Sequence, residues 1–153
     1  MAQYICTVQA TTNTSINTED TFMDLEAPAS FAFKVKRIRV SHNTAASDSN
    51  TRIKIFRKTA IGAGSVGGTE VKKNPLSATP QVVATVKNGT STYAVGTTTD
   101  LIDEVQVNGR GIWEWVARDD DDMIIPTAGD FIGVNILNNT ASIIVKVTME
   151  WIE

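Results

Sequence analysis

"ASIIVKVTMEWIE", Ala141 to Glu153, carries the clearest pattern in the chain. Ile143, Val145, Val147, Met149 and Trp151 fall at alternate positions, with Ile144, Lys146, Thr148, Glu150 and Ile152 between them. An extended backbone sends successive side chains to opposite sides, so one set covers a core and the other faces outward. The segment reads as a half-buried β-strand. Just upstream, "FIGVNIL" sets Ile132, Val134 and Ile136 in register, and Asn138-Asn139-Thr140 reads as a short hairpin loop. The last two strands are therefore expected to be antiparallel neighbours.

Working outward, the same logic recurs. "QYICTVQAT" alternates Tyr4, Cys6 and Val8 against Ile5, Thr7 and Gln9, and a second strand is expected over Thr21 to Leu25. In "FAFKVKRIRVSH" the apolar positions run Phe31, Phe33, Val35 and then change phase to Ile38 and Val40. One extra residue near Lys36-Arg37, a β-bulge, would return both runs to one face. "TRIKIFRK", "QVVATVK", "LIDEVQV" and "GIWEWVA" supply further strands, separated by the turn-rich stretches "NTAASDSN", "GAGSVGG", "KNGTST" and "VNGRG". No window has a helical repeat. About eight to ten short strands in one chain predict an all-β fold, an antiparallel β-sandwich or a closed barrel. The Gly62–Gly68 stretch reads as a mobile loop within it.

The chain has 153 residues, 42% of them hydrophobic and 20% charged, which suits one folded domain over 1–153 and is too apolar for disorder. A single cysteine, Cys6, excludes an intrachain disulfide, and with a single histidine, His42, most metal constellations are out as well. "MAQYICTVQATT" has neither the basic start nor the apolar core of a cleavable signal peptide, and no stretch is long enough for a membrane helix. Charge is lopsided. Residues 1–90 hold 11 Lys and Arg against 6 Asp and Glu, a net +5, and residues 91–153 hold 3 against 11, a net −8. Opposite patches of this kind on identical subunits would attract one another.

"RDDDDMIIP", Arg118 to Pro126, is the obvious candidate for chemistry. A calcium loop spaces its acids at alternate positions so that carboxylates converge, whereas Asp119, Asp120, Asp121 and Asp122 are consecutive and repel. They read as a solvated loop, with no metal expected. Paired-carboxylate catalysis needs one acid kept protonated in an apolar pocket, which adjacent exposed aspartates do not offer. His42 lies in "VSHNT" without a nucleophile motif and reads as a strand-end hydrogen-bonding residue; Cys6 reads as a small core side chain. "GAGSVGG" lacks the Gly-Lys-Ser/Thr ending of a phosphate loop. No catalytic residue, cofactor or small-molecule substrate is expected.

Two features remain for partners. Trp113 and Trp115 share a face, as core or oligomer-interface anchors if buried and as a stacking platform if exposed. The basic segments contribute Lys34, Lys36, Arg37, Arg39, Arg52, Lys54, Arg57 and Lys58, which would form a positive stripe if their strands share a sheet. With a pI near 5.2 and no interleaved aromatics, docking on an acidic protein surface fits better than nucleic acid. The candidate interface is thus Lys34, Lys36, Arg39, Arg52, Lys54 and Lys58 on one side and Asp119 to Asp122 on the other.

The run "FKVKRIRVSHNT", "TRIKIFRKT" and "GRGIWEWVARDDDDMIIPTAGDFIGVNILNN" with its final strand, about residues 31–153, resembles small virion proteins of tailed bacteriophages. Its most characteristic part is Trp113-Glu114-Trp115, a polar loop, then Ile124-Ile125-Pro126 and Gly129-Asp130. The resemblance implies a jelly-roll capsid decoration or cement protein, made in the host cytoplasm and carried on the outer surface of the phage head. It implies contacts with the major capsid protein and with itself, as a homotrimer, and no shared catalytic residues. The alternative is a carbohydrate- or receptor-binding module of a fibre or spike, which would expose Trp113, Trp115 or a loop aromatic such as Tyr93. A third reading, a hydrolase, would need a pocket joining His42 to distant carboxylates.

Overall fold

The computed structural model describes residues 1–12, 17–42, 50–119, 124, 126–138 and 143–153. Its strands are β1 (Gln3–Thr11), β2 (Glu19–Glu26), β3 (Lys34–His42), β4 (Asn50–Ala60), β5 (Ser65–Gly67), β6 (Glu70–Lys72), β7 (Val83–Lys87), β8 (Thr97–Asn108), β9 (Ile112–Val116), β10 (Phe131–Asn138) and β11 (Ile144–Ile152). They form a five-stranded sheet, in the order β6-β1-β11-β3-β9, and a six-stranded sheet, in the order β5-β7-β2-β10-β4-β8. All named pairings are antiparallel. The two sheets pack as a sandwich.

The jelly-roll winding is visible in the strand order. The chain changes sheet from β1 to β2, from β2 to β3 and from β3 to β4, and again at each step from β8 to β11. This overturns one expectation: β10 and β11 are not a hairpin. β11 lies between β1 and β3, and β10 between β2 and β4 in the other sheet. Two strands that each bury one face can satisfy that need by facing each other across the core as well as by pairing side by side. Alternation looks the same in both cases.

The final strand behaves as its alternation predicts. Ile143, Val145, Val147, Met149 and Trp151 are all buried, while Lys146 on the opposite side is exposed. Trp151 is fully buried and stacks on Tyr4 at 5.9 Å between ring centroids. Its indole nitrogen donates to Glu153 Oε1 at 3.1 Å, so the polar edge of the ring is satisfied. The phase change in β3 is the expected bulge. Arg37 opposes Glu150 and Val35 opposes Trp151, leaving Lys36 as the extra residue, and Val35, Ile38 and Val40 all reach the core.

Part of the stretch read as a mobile loop is a strand. Ser65–Gly67 pairs with β7 and begins a short excursion, β5 to β7, between β4 and β8. Cys6 is a buried core residue between β11 and β6. Burial pushes its thiol up to about 11, against backbone hydrogen bonds from Thr69 and Thr7. An unfolded cysteine titrates near ~8.5. The raised folded value therefore contributes stability that is present below ~8.5 and is lost as pH climbs through about 11. At pH 8 the native protein is expected to resist Ellman's reagent and to react fully in guanidinium. Fast native labelling would show that the β1–β6 edge opens.

Candidate functional site

The outer face of the five-stranded sheet is one candidate surface. β3, β11 and β1 present Arg37, Arg39, Lys146, Thr148, Thr7 and Glu150 around a hollow of about 310 Å³. Arg37 pairs with Glu114 on β9 and, at 3.5 Å, with Glu150 on β11. Thr7 and Thr148 hydroxyls meet at 3.0 Å. Beside the hollow, Ile112 is 61% exposed and Val116 47%. They point outward because Trp113 and Trp115, opposite Val40 and Ile38, turn inward and pack, half-buried, against the core.

The basic stripe predicted from both segments does not form. β3 and β4 lie in different sheets, so Lys34, Lys36 and Arg39 stand on one side of the sandwich and Arg52, Lys54 and Lys58 on the other. The basic residues of β4 meet acids of their own chain: Arg52 with Glu104 at 3.2 Å, Lys54 with Glu19 at 2.7 Å and Arg57 with Asp100 at 3.8 Å. Part of the charge split between the two halves is thus closed within one subunit. Lys58, expected at a surface, is fully buried.

The acidic loop leaves and rejoins a single strand. Ala117 N donates to Lys36 O, and Val35 N donates to Ile124 O, both at 2.9 Å. Asp119 is exposed; Asp120, Asp121 and Asp122 lie outside the described residues. His42 keeps the ordinary role read for it. Nδ1 donates to Gly111 O at 3.3 Å and Nε2 meets the Thr51 hydroxyl at 2.8 Å, tying the end of β3 to β4 and the β8–β9 turn.

A second site was not anticipated. It lies on the outer face of the six-stranded sheet, beneath the segment 88–96. Lys58 Nζ on β4 lies 2.9 Å from Asp24 Oδ1 on β2, 2.9 Å from Asn135 Oδ1 on β10 and 3.0 Å from Thr21 Oγ1. Asp24 Oδ2 accepts a 2.5 Å hydrogen bond from Tyr93, whose hydroxyl also meets Thr85 at 3.0 Å. Asn135 Nδ2 donates to Glu19 Oε1 at 2.8 Å. Lys87 and Asp20 form another buried pair at 3.1 Å, with Lys87 5.8 Å above the Phe22 ring and donating to Ser91 O.

Local sequence explains how this face closes. Asp24 and Lys58 flank β10, and they meet directly over Gly133, which has no side chain to separate them. A Cβ there would stand 2.7 Å from Lys58 Nζ and nearer still to Asp24 Oδ1. A bulge opposite Val134 and Asn135 makes Phe22 the extra residue of β2. Thr21 N is then free of the ladder and donates to Tyr93 O at 2.9 Å, which anchors the covering segment. Tyr93, considered above as an exposed aromatic, is therefore fully buried.

Low dielectric surroundings disfavour both members of the central pair as ions. Burial pushes the Asp24 carboxyl up, against the pull of the Lys58 ammonium and the Tyr93 hydroxyl. Burial pushes the Lys58 amine down, against Asp24 and Glu19. Burial and the neighbouring Asp24 carboxylate hold the Tyr93 hydroxyl protonated. One sign in the sequence was readable: a glycine inside the strand pattern of "FIGVNIL", two residues before an asparagine, marks a close approach on that face.

No protein-family model, curated protein or solved structure matches this chain.

Proposed function

We propose that this chain is a non-enzymatic virion protein of the capsid-decoration type, which binds the outer surface of a phage head through protein contacts and stabilises it. The observation that supports this reading is the outer face of the five-stranded sheet. There a polar hollow edged by Arg37, Arg39 and Lys146 adjoins exposed Ile112 and Val116 on the edge strand, a mixture suited to an acidic protein surface with an apolar contact beside it. The opposite face pairs Arg52, Lys54 and Arg57 with acids of its own chain, as Arg37 is paired on this one, and carries the covering segment as well. A carbohydrate module gains no such support, because Tyr93 is buried and Trp113 and Trp115 pack against the core.

Electron microscopy and composition analysis of purified particles test the proposal. Regular density on the outer capsid surface is the expected result, and particles that lack the protein would reject it. Arg39→Glu combined with Lys146→Glu is expected to weaken rebinding to stripped heads by at least about tenfold, since like charges would then face an acidic lattice. For the homotrimer, light scattering at micromolar concentration should give three times the mass of one chain. A monomer alone would reject that part.

A further inference from the structure

We propose that Lys58 and Asn135 condense into an intramolecular isopeptide bond that staples β4 to β10 beneath the 88–96 segment. This goes beyond capsid binding and does not depend on it. The reacting groups are already in contact. Lys58 Nζ is 2.9 Å from Asn135 Oδ1, the oxygen on the carbon it would attack, and 2.9 Å from Asp24 Oδ1, the base that would take its proton. Holding amine and amide together in this way replaces a bimolecular encounter.

The surrounding groups fit the remaining roles. Lys58 and Thr21 converge on Oδ1, and Glu19 Oε1 accepts from Nδ2 at 2.8 Å, so the amide is oriented with its leaving nitrogen turned towards an acid. The Thr21 hydroxyl, 3.1 Å from Oδ1, can donate to that oxygen as negative charge develops. Lys58, Asp24, Thr21 and Asn135 are all fully buried, which keeps water from competing for the carbon. Burial that disfavours both the ammonium and the carboxylate also favours the proton transfer that frees the amine's lone pair.

Atoms balance without an external reagent. Asp24 takes one proton from the ε-ammonium, and the neutral nitrogen bonds to Cγ of Asn135. The Cγ–Nδ2 bond breaks once two protons removed from the lysine nitrogen have reached Nδ2, where Glu19 Oε1 is the carboxylate in contact. Of the three protons on the starting ammonium, one stays on the new amide and two leave with Nδ2 and its own two as ammonium. Asp24 ends as the carboxylate it began as. Lys87 and Asp20 supply an internal comparison: they are equally buried, but no amide accompanies them among the contacts described, and they are expected to stay unlinked.

The test is the intact mass of the purified full-length chain, followed through incubation at neutral pH until it stops changing. A mass about 17 Da below that of the sequence is expected, the loss of one ammonia. Tryptic digestion should then yield residues 58–72 joined to residues 119–146, since a lysine in an amide bond is no longer cut. Asp24→Asn and Asn135→Ala are each expected to keep the full mass. A wild-type chain at full mass, with Lys58 and Asn135 in separate peptides, overturns the proposal. So does a loss of about 18 Da traced to a Lys58–Asp24 link, or a 17 Da loss that persists in Asn135→Ala.

Discussion

Measured against the chain before Lys58 and Asn135 condense, Lys58→Met is expected to lower the free energy of unfolding by about 3–5 kcal/mol, the usual cost of leaving one charge of a buried pair without its partner. Asp24 would remain fully buried over Gly133, with the Tyr93 hydroxyl as its remaining side-chain donor among the described residues. Adding Asp24→Leu removes the orphaned carboxylate and should recover most of that loss. Neither variant can form the proposed cross-link, so their difference in urea unfolding reads the ionic cost alone. If Lys58→Met and the double variant unfold within about 0.5 kcal/mol of each other, Asp24 is not held as a buried ion and the account of this face is wrong.

Trp151→Ala should cost about 3–5 kcal/mol for a different reason. Trp151 is fully buried, stacks on Tyr4 and sits beside the bulge where β11 meets β3. Removing the indole loses its burial and leaves a cavity that two bonded neighbouring strands cannot collapse to fill. The urea midpoint should fall while the slope stays near that of the wild type, since the same surface is exposed on unfolding. Trp151→Phe, which keeps an aromatic ring against Tyr4, is expected to lose less than half as much. A loss below about 1 kcal/mol for the alanine variant would mean that the end of β11 is not part of the cooperative core.

The consequences of these two substitutions were not equally legible beforehand. Trp151 belongs to an alternating run whose inward face is evident from five residues in a row, and the bulge in β3 follows from a phase change within a single segment. Arg39 lines the hollow on the five-stranded sheet, and Trp113 and Trp115 share an inward face, as alternation within their own strands requires. The basic residues of β4 do not join those of β3, because their placement depends on which sheet β4 joins and on acids as far as 52 residues away along the chain, such as Glu104 opposite Arg52.

What the sequence determined by itself is local: extended segments, their inward faces, the bulge and the turns. Each follows from side chains within a few residues of one another, because a strand's two faces are set by its own period. Only the tertiary structure decided which strands pair, that consecutive strands cross between sheets, and that Asp24, Lys58 and Asn135 meet over Gly133. Those three reactive side chains sit on three neighbouring strands separated by long stretches of chain. Their encounter depends on register across the sheet, and the alternation of a single strand fixes which face turns inward without saying which residues of which neighbour stand opposite.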